Sequence, residues 1–205
     1  MVFDSGKANT DGERIKVYPE DLNKKTQLWK IQKDEKIITE NQKTANETPK
    51  NNVIDGIQNG TYIISNFSNK EKVLDVMYAG AVNMANISLY QKWGENNMAQ
   101  KWKVEKDNDG LYRISNLKSG RSIDVSYGNM QDRTNIWLYD SNNSCAQKWK
   151  LVINNDNSVS ILSSCNEKMS LDIDDTKIEN GTNIQLYQKW GENNIAQKWY
   201  FEKVQ

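Results

Sequence analysis

The chain has 205 residues, enough for one domain of ordinary size plus an appendage, and its 27 basic and 27 acidic side chains cancel, leaving no net field to draw in nucleic acid. It contains no histidine, which removes the commonest general base, the most frequent metal ligand and every Ser-His or Cys-His arrangement. Apolar residues make up 37% of the chain and occur in runs of only a few, which excludes a membrane-spanning helix and membrane insertion through one.

From the N-terminus, residues 1–33 hold Tyr18 and the triplet Gln27-Leu28-Trp29, with Asp11-Gly12 seven residues before the tyrosine. The same spacing returns downstream, where Asn180-Gly181 precede Tyr187. The segment reads as a partial repeat, the tail of a preceding module. Fifteen residues before Tyr18 stands Phe3, where the later copies have Asp, so no ligand site is expected here. A half repeat cannot bury its own apolar face. Either the chain starts inside a preceding module, the preferred reading, or the segment packs on the complete set of repeats downstream. Residues 34–58 are rich in Lys, Glu, Asn and Thr with a single Pro, the composition of a linker. No basic stretch followed by an apolar run marks a secretory leader.

From residue 59 the chain repeats itself three times, over about 59–106, 107–154 and 155–205. Asp75, Asp124 and Asp172 recur at intervals of 49 and 48 residues, Trp102, Trp149 and Trp199 at 47 and 50, and each Asp precedes a tyrosine, Tyr90, Tyr139 or Tyr187, by 15. Within each copy, short alternating runs such as Ile87-Ser88-Leu89-Tyr90 and Lys101-Trp102-Lys103-Val104 are broken by Gly, Asn, Asp and Ser clusters. These are half-buried strands, with no helical period anywhere. About four strands in each of three repeats predict an all-β protein of about twelve strands, closed into a compact threefold barrel because no capping units for an open stack are present. That arrangement is a β-trefoil, preceded by the partial repeat and the linker.

The triplets Gln100-Lys101-Trp102, Gln147-Lys148-Trp149 and Gln197-Lys198-Trp199, each with an upstream partner in Leu74-Asp75-Val76, Ile123-Asp124-Val125 or Leu171-Asp172-Ile173, resemble the QxW signature of ricin-type β-trefoil lectin domains. Among these the chain looks most like the modules attached to secreted clostridial enzymes and toxins. The resemblance covers residues 59–205. It implies a carbohydrate-binding module that recognises galactose-type or related sugars on glycans, N-acetylgalactosamine included. It further implies a secreted or extracellular location and a targeting role within a longer chain.

A sugar site needs a carboxylate to accept hydroxyl protons and an aromatic ring to cover the sugar's C–H face. By resemblance these are Asp75 with Tyr90, Asp124 with Tyr139, and Asp172 with Tyr187. The first and third repeats share a longer loop that adds Trp93 and Trp190. The third alone has Gln185 two residues before its tyrosine, where the others have Ser88 and Trp137, so the third site ranks first and the second last. Related lectins carry an Asn just before the QxW glutamine, but this chain has Ala99, Ala146 and Ala196. Asn96 or Asn97, Asn142 or Asn143, and Asn193 or Asn194 lie close enough in the loops to stand in for it, with Asn97, Asn143 and Asn194 taken as the candidates. The three QxW tryptophans alternate with polar residues as core residues do, and the glutamines read as ties between loop and backbone.

Several shallow sites on one rigid body suit avidity on a dense glycan surface. A protein-interaction or inhibitor trefoil without sugar sites shares the fold, but it has no reason to keep the Asp-to-Tyr pair in three copies. Asp174 and Asp175 lie close to Asp172, yet one acid per pocket argues against the carboxylate pair of a glycosidase, and no enzyme activity, cofactor or metal is expected. Cys145 and Cys165 lie 20 residues apart without CxxC spacing; one disulfide and two separate thiols both remain open.

Overall fold

A computed structural model of the chain describes residues 56–94, 96–191 and 193–204. The expected partial repeat at 1–33, and the linker at 34–58 but for its last three residues, lie outside the described residues. Within these, twelve strands are joined by turns and short 3-10 segments, without an α-helix. The first repeat supplies β1 (Gly60–Asn66), β2 (Asn69–Val76), β3 (Ile87–Gln91) and β4 (Trp102–Lys106); the second, β5 (Tyr112–Asn116), β6 (Ser122–Val125), β7 (Thr134–Tyr139) and β8 (Trp149–Ile153); the third, β9 (Val159–Ser163), β10 (Met169–Ile173), β11 (Thr182–Gln188) and β12 (Trp199–Val204).

The outer strands of the repeats close a six-stranded barrel: β1 pairs with β4, β4 with β5, β5 with β8, β8 with β9, β9 with β12, and β12 returns to β1. The inner strands form three hairpins, β2–β3, β6–β7 and β10–β11. These meet one another where β11 pairs with both β3 and β7 and where Asn86 bridges to Trp137, so they form a cap over the barrel. This is the β-trefoil that the repeats predict.

The period of two in a strand explains why an acid can sit amid the core. Leu74 and Val76, Ile123 and Val125, and Leu171 and Ile173 are at most 1% exposed, so the aspartate between each pair turns to the opposite face. Trp102, Trp149 and Trp199 are wholly buried, and each indole N–H donates to the carbonyl of the residue just before an acid, Leu74, Ile123 or Leu171. The signature tryptophan thus fixes the backbone that presents the carboxylate.

A feature passed over in the sequence closes the cap. Asn86 donates to Asn183 (2.8 Å), Asn183 to Asn135 (2.9 Å) and Asn135 to Asn86 (2.8 Å), a ring of equivalent residues that can close only around the pseudo-threefold axis. Each asparagine suits this place because its amide both donates and accepts.

The junctions between repeats are tied in two ways. Asn66 donates to the carbonyls of Ile195 and Lys198, and Asn116 to those of Met98, Ala99 and Lys101, so each clamps the QxW loop of the preceding copy. At the junction of the second and third repeats Ser163 holds that position. There Cys145 and Cys165 form a disulfide with a Cα–Cα distance of 5.0 Å, settling the alternative left open by their spacing. A covalent tie replaces the asparagine clamp.

Candidate functional site

Hairpin register decides what faces each acid. Asp75 stands opposite Ser88, Asp124 opposite Trp137 and Asp172 opposite Gln185, so the residue two before each tyrosine is the cross-strand partner of the carboxylate.

In the third repeat Gln185 Nε2 donates to Asp172 Oδ1 at 2.9 Å. The pair, 5% and 4% exposed, lines a cleft of about 490 Å3 together with Tyr187, Trp190, Asn194 and Arg133. Tyr187 is half-buried and Trp190 is 59% exposed, with ring centroids 6.2 Å apart and planes inclined at 50°, so the two rings offer a tilted apolar wall beside a buried acceptor. Burial raises the Asp172 carboxyl from 3.8 to about 6; Gln185 and Gln197 pull it down, and Asp174 and Asp132 add to the rise. A carboxylate held by neutral amides, facing an open cleft, is an acceptor with lone pairs to spare.

The second repeat uses the same positions differently. The Trp137 indole donates to Asp124 Oδ1 (2.8 Å) and Gln147 Nε2 to Asp124 Oδ2 (2.9 Å), so both oxygens already meet protein donors. Tyr127 packs edge-on against Trp137 at 5.0 Å, and Trp137 stacks beside Tyr139 at 6.3 Å. Indole fills the place that Gln185 leaves open in the third repeat. Burial raises the Asp124 carboxyl, with Trp137 and Gln147 opposing the rise.

The first repeat is intermediate. Asp75 is only partly buried, its carboxyl raised by that burial and lowered by Gln100. Tyr90 and Trp93 stack at 6.3 Å and 26°. Ser88 is wholly buried, and its hydroxyl has no hydrogen-bond partner among the described residues; a serine at this place gives Asp75 no cross-strand amide of the kind that holds Asp172.

The glutamines of the triplets clamp the aromatic loops. Gln100 accepts from Trp93 N and donates to Gln91 O, and Gln197 accepts from Trp190 N and donates to Gln188 O. Gln147 accepts from Asn142 N and, its loop being shorter, reaches Asp124 as well as Asp140 O. Asn97 and Asn194 accept from the N–H of Ala99 and Ala196, which orients both side chains; Asn194 lines the third cleft. Asn143 is not their counterpart: Ser144 occupies that position, and the Asn143 side chain accepts from Arg113 on β5. The misalignment arises because the second loop is two residues shorter.

Arg133, Thr176 and Gly191 also line the cleft and were not anticipated, and Asp175 and Asn193 join them, the first expected only as a neighbour of Asp172 and the second as the alternative to Asn194. Asp175 has a left-handed backbone, φ 51°, shared by Tyr78 (55°) and Tyr127 (54°) at the equivalent place three residues after each acid, a constancy visible in the repeat alignment once the acid is taken as origin. Arg133 comes from the neighbouring repeat, where its N–H bonds to the Leu186 carbonyl. Met84 and Gly181 make the same bond to Leu138 and Leu89, so each site receives one residue from the preceding copy, and only the third receives a cation. Asp132 likewise accepts from the N–H of Gln188, fixing the residue that comes after Tyr187.

Residues 98–187 match the family model described as ricin-type beta-trefoil lectin domain-like. Among solved structures, the chain is similar to the designed threefold-symmetric protein ThreeFoil, with 24% identity over 71% of this chain and 99% of that one, TM-score 0.65. It is similar to the exo-β-1,3-galactanase 1,3Gal43A from Clostridium thermocellum, with 30% identity over 71% of this chain but only 30% of the enzyme, TM-score 0.63. It is similar also to the Macrolepiota procera ricin B-like lectin solved with lactose, with 20% identity over 72% and 99% of the chains, TM-score 0.60. A search of curated proteins finds no match. The ricin-type resemblance read from the triplets is borne out, and carbohydrate binding is supported at the level of that fold.

Proposed function

We propose that this chain, whose residues 98–187 carry a ricin-type β-trefoil lectin-like domain, binds galactose-type sugars on glycans through its third repeat above all, and through its first more weakly. The observation that carries the reading is the third cleft, where a buried carboxylate with a neutral amide partner lies beside the exposed faces of Tyr187 and Trp190. Adjacent sugar hydroxyls donate to Asp172, Gln185 holds that carboxylate in place, and the rings cover the C–H face. Arg133 and Asn194 stand at the rim as further donors to hydroxyl and ring oxygens. No bond in the sugar is broken. With so few contacts the affinity of one site is expected near millimolar, roughly −4 kcal/mol, and a second site on the same rigid body raises it on a dense glycan. Targeting of a larger secreted protein to such a surface is the use that fits weak, repeated sites.

Titration of galactose, N-acetylgalactosamine and lactose, followed by NMR, tests this directly. Saturable shifts at Tyr187 and Trp190 that disappear in Asp172→Ala are expected. A flat response of the parent protein across these sugars would sink the reading and turn attention to a protein partner.

A further inference from the structure

Trp190 lines two hollows. One is the cleft around Asp172; the other, a separate groove of about 180 Å3, is lined by Val152, Asn154, Asn155 and Lys189, with Trp190, Gly191 and Asn194 common to both. Its size suits one further sugar unit. Resting on the function proposed above, we propose that a glycan seated in the third cleft continues past Trp190 and places an acidic sugar unit, bearing a carboxylate, sulfate or phosphate, in this groove against Lys189.

The argument comes from the first repeat, where the equivalent lysine is Lys92. Lys92 forms an ion pair with Glu202 at 2.6 Å, and its register neighbour across the β2–β3 hairpin is Glu71, whose carbonyl accepts the Lys92 N–H. Both acids are gone in the third repeat. Counting from the signature tryptophans, Val152 on β8 takes the place of Glu202 on β12. Across the β10–β11 hairpin, Lys168 takes the place of Glu71 and its carbonyl accepts the Lys189 N–H. Among the described residues Lys189 and Lys168 form no ion pair, whereas Lys198, also on the groove, is held by Asp156. Among the described residues, therefore, the groove presents a cation without the counterion that Lys92 has in the first repeat.

Charge also sets the direction of the ligand. Asp172 and Asp175 line the cleft with Asp132 and Asp174 close by, opposed there by Arg133 and Lys177, which both pair with Asp175, whereas the groove carries Lys189 and the Asp156-paired Lys198. An anionic substituent is repelled from the first and drawn to the second, a preference that salt weakens because the screening length is about 8 Å at physiological ionic strength. Neutral sugar in the cleft and acidic unit in the groove is the orientation that satisfies both.

The test compares lactose with 3′-sulfolactose and with 3′- and 6′-sialyllactose, titrated into the full chain and into Lys189→Gln, Val152→Glu and Asp172→Ala. The parent is expected to bind at least one acidic sugar about two- to five-fold more tightly than lactose, the range of an exposed ion pair, and to lose the difference in high salt. Lys189→Gln and Val152→Glu, the second restoring the pairing of the first repeat, are expected to erase that preference while leaving lactose binding unchanged. Asp172→Ala removes both. If lactose binds but no acidic form gains, or if the gain survives Lys189→Gln, the groove proposal is overturned and the cleft stands; if nothing binds the parent, both readings fall together. A gain for sulfate without sialate, or the reverse, identifies the source of the acid and supports the proposal.

Discussion

The second and third repeats place an aspartate, a cross-strand partner and a tyrosine at the same positions, yet one buries its acid under an indole and the other leaves it at the bottom of a cleft. Trp137 meets both the acid and Tyr127, whereas Gln185 meets only the acid and leaves Tyr187 and Trp190 open. The residue two before the tyrosine, together with the shorter loop that brings Gln147 onto Asp124, thus separates an acid met on both oxygens from one that opens on a cleft. The scaffold beneath is unchanged, since the buried QxW tryptophan and the carbonyl before the acid are bonded alike in both.

Breaking what the two regions share carries the largest cost. Trp149→Ala and Trp199→Ala each leave a cavity and an unbonded carbonyl, and each is expected to destabilise the domain by about 3–5 kcal/mol in denaturant unfolding. Markedly unequal losses would show that the repeats are not equivalent in their foundations. Next comes the junction between them. Removing the Cys145–Cys165 bridge, which closes a loop of 20 residues, is expected to cost about 3 kcal/mol. Adding Ser163→Asn to the bridge-free protein is expected to recover about 1 kcal/mol by rebuilding the clamp made elsewhere by Asn66 and Asn116.

The acids themselves sharpen the contrast. Asp124→Ala leaves the Trp137 and Gln147 donors unsatisfied, an expected loss of about 1–3 kcal/mol of stability with sugar binding intact. Abolished binding in that variant would refute the division of roles between the two repeats. A more graded effect is that of pH. Sugar hydroxyls need the ionised Asp172, whose carboxyl titrates near 6, so affinity at the third site is expected to fall about tenfold from pH 7 to pH 5. Stability runs the other way. Because the folded value lies above the ordinary 3.8, this group favours the folded state fully below 3.8 and loses that contribution as pH rises through about 6. Asp172→Asn is accordingly expected to flatten that segment of the stability profile; a pH-independent sugar affinity in the parent would contradict the role given to the carboxylate.

Much of this architecture was legible in the residues. The intervals among Asp, Tyr and Trp implied three copies, and the alternation within them implied strands, because a strand exposes its sides with period two and a repeat can bury its apolar face only against its copies. The acid, the tyrosine and Gln185 of the third cleft were readable for the same reason, all lying on one hairpin whose pairing is set by local spacing. Where register failed, as at Asn143, a two-residue deletion had shifted the loop, and no periodic signal runs through a loop.

Spacing along the chain therefore suffices for everything carried within a single repeat: the strand pattern, the buried tryptophan and the acid two strands before it. Contacts that pass between repeats belong to the folded molecule alone. The asparagine ring, the asparagine clamps and the disulfide that replaces one of them, Arg133 entering the third site from the second repeat, and Val152 and Lys189 lining one groove all join residues roughly 15 to 130 positions apart. Such contacts arise from closure of the barrel around its threefold axis, and closure brings together side chains whose separation along the chain holds no record of their distance in space.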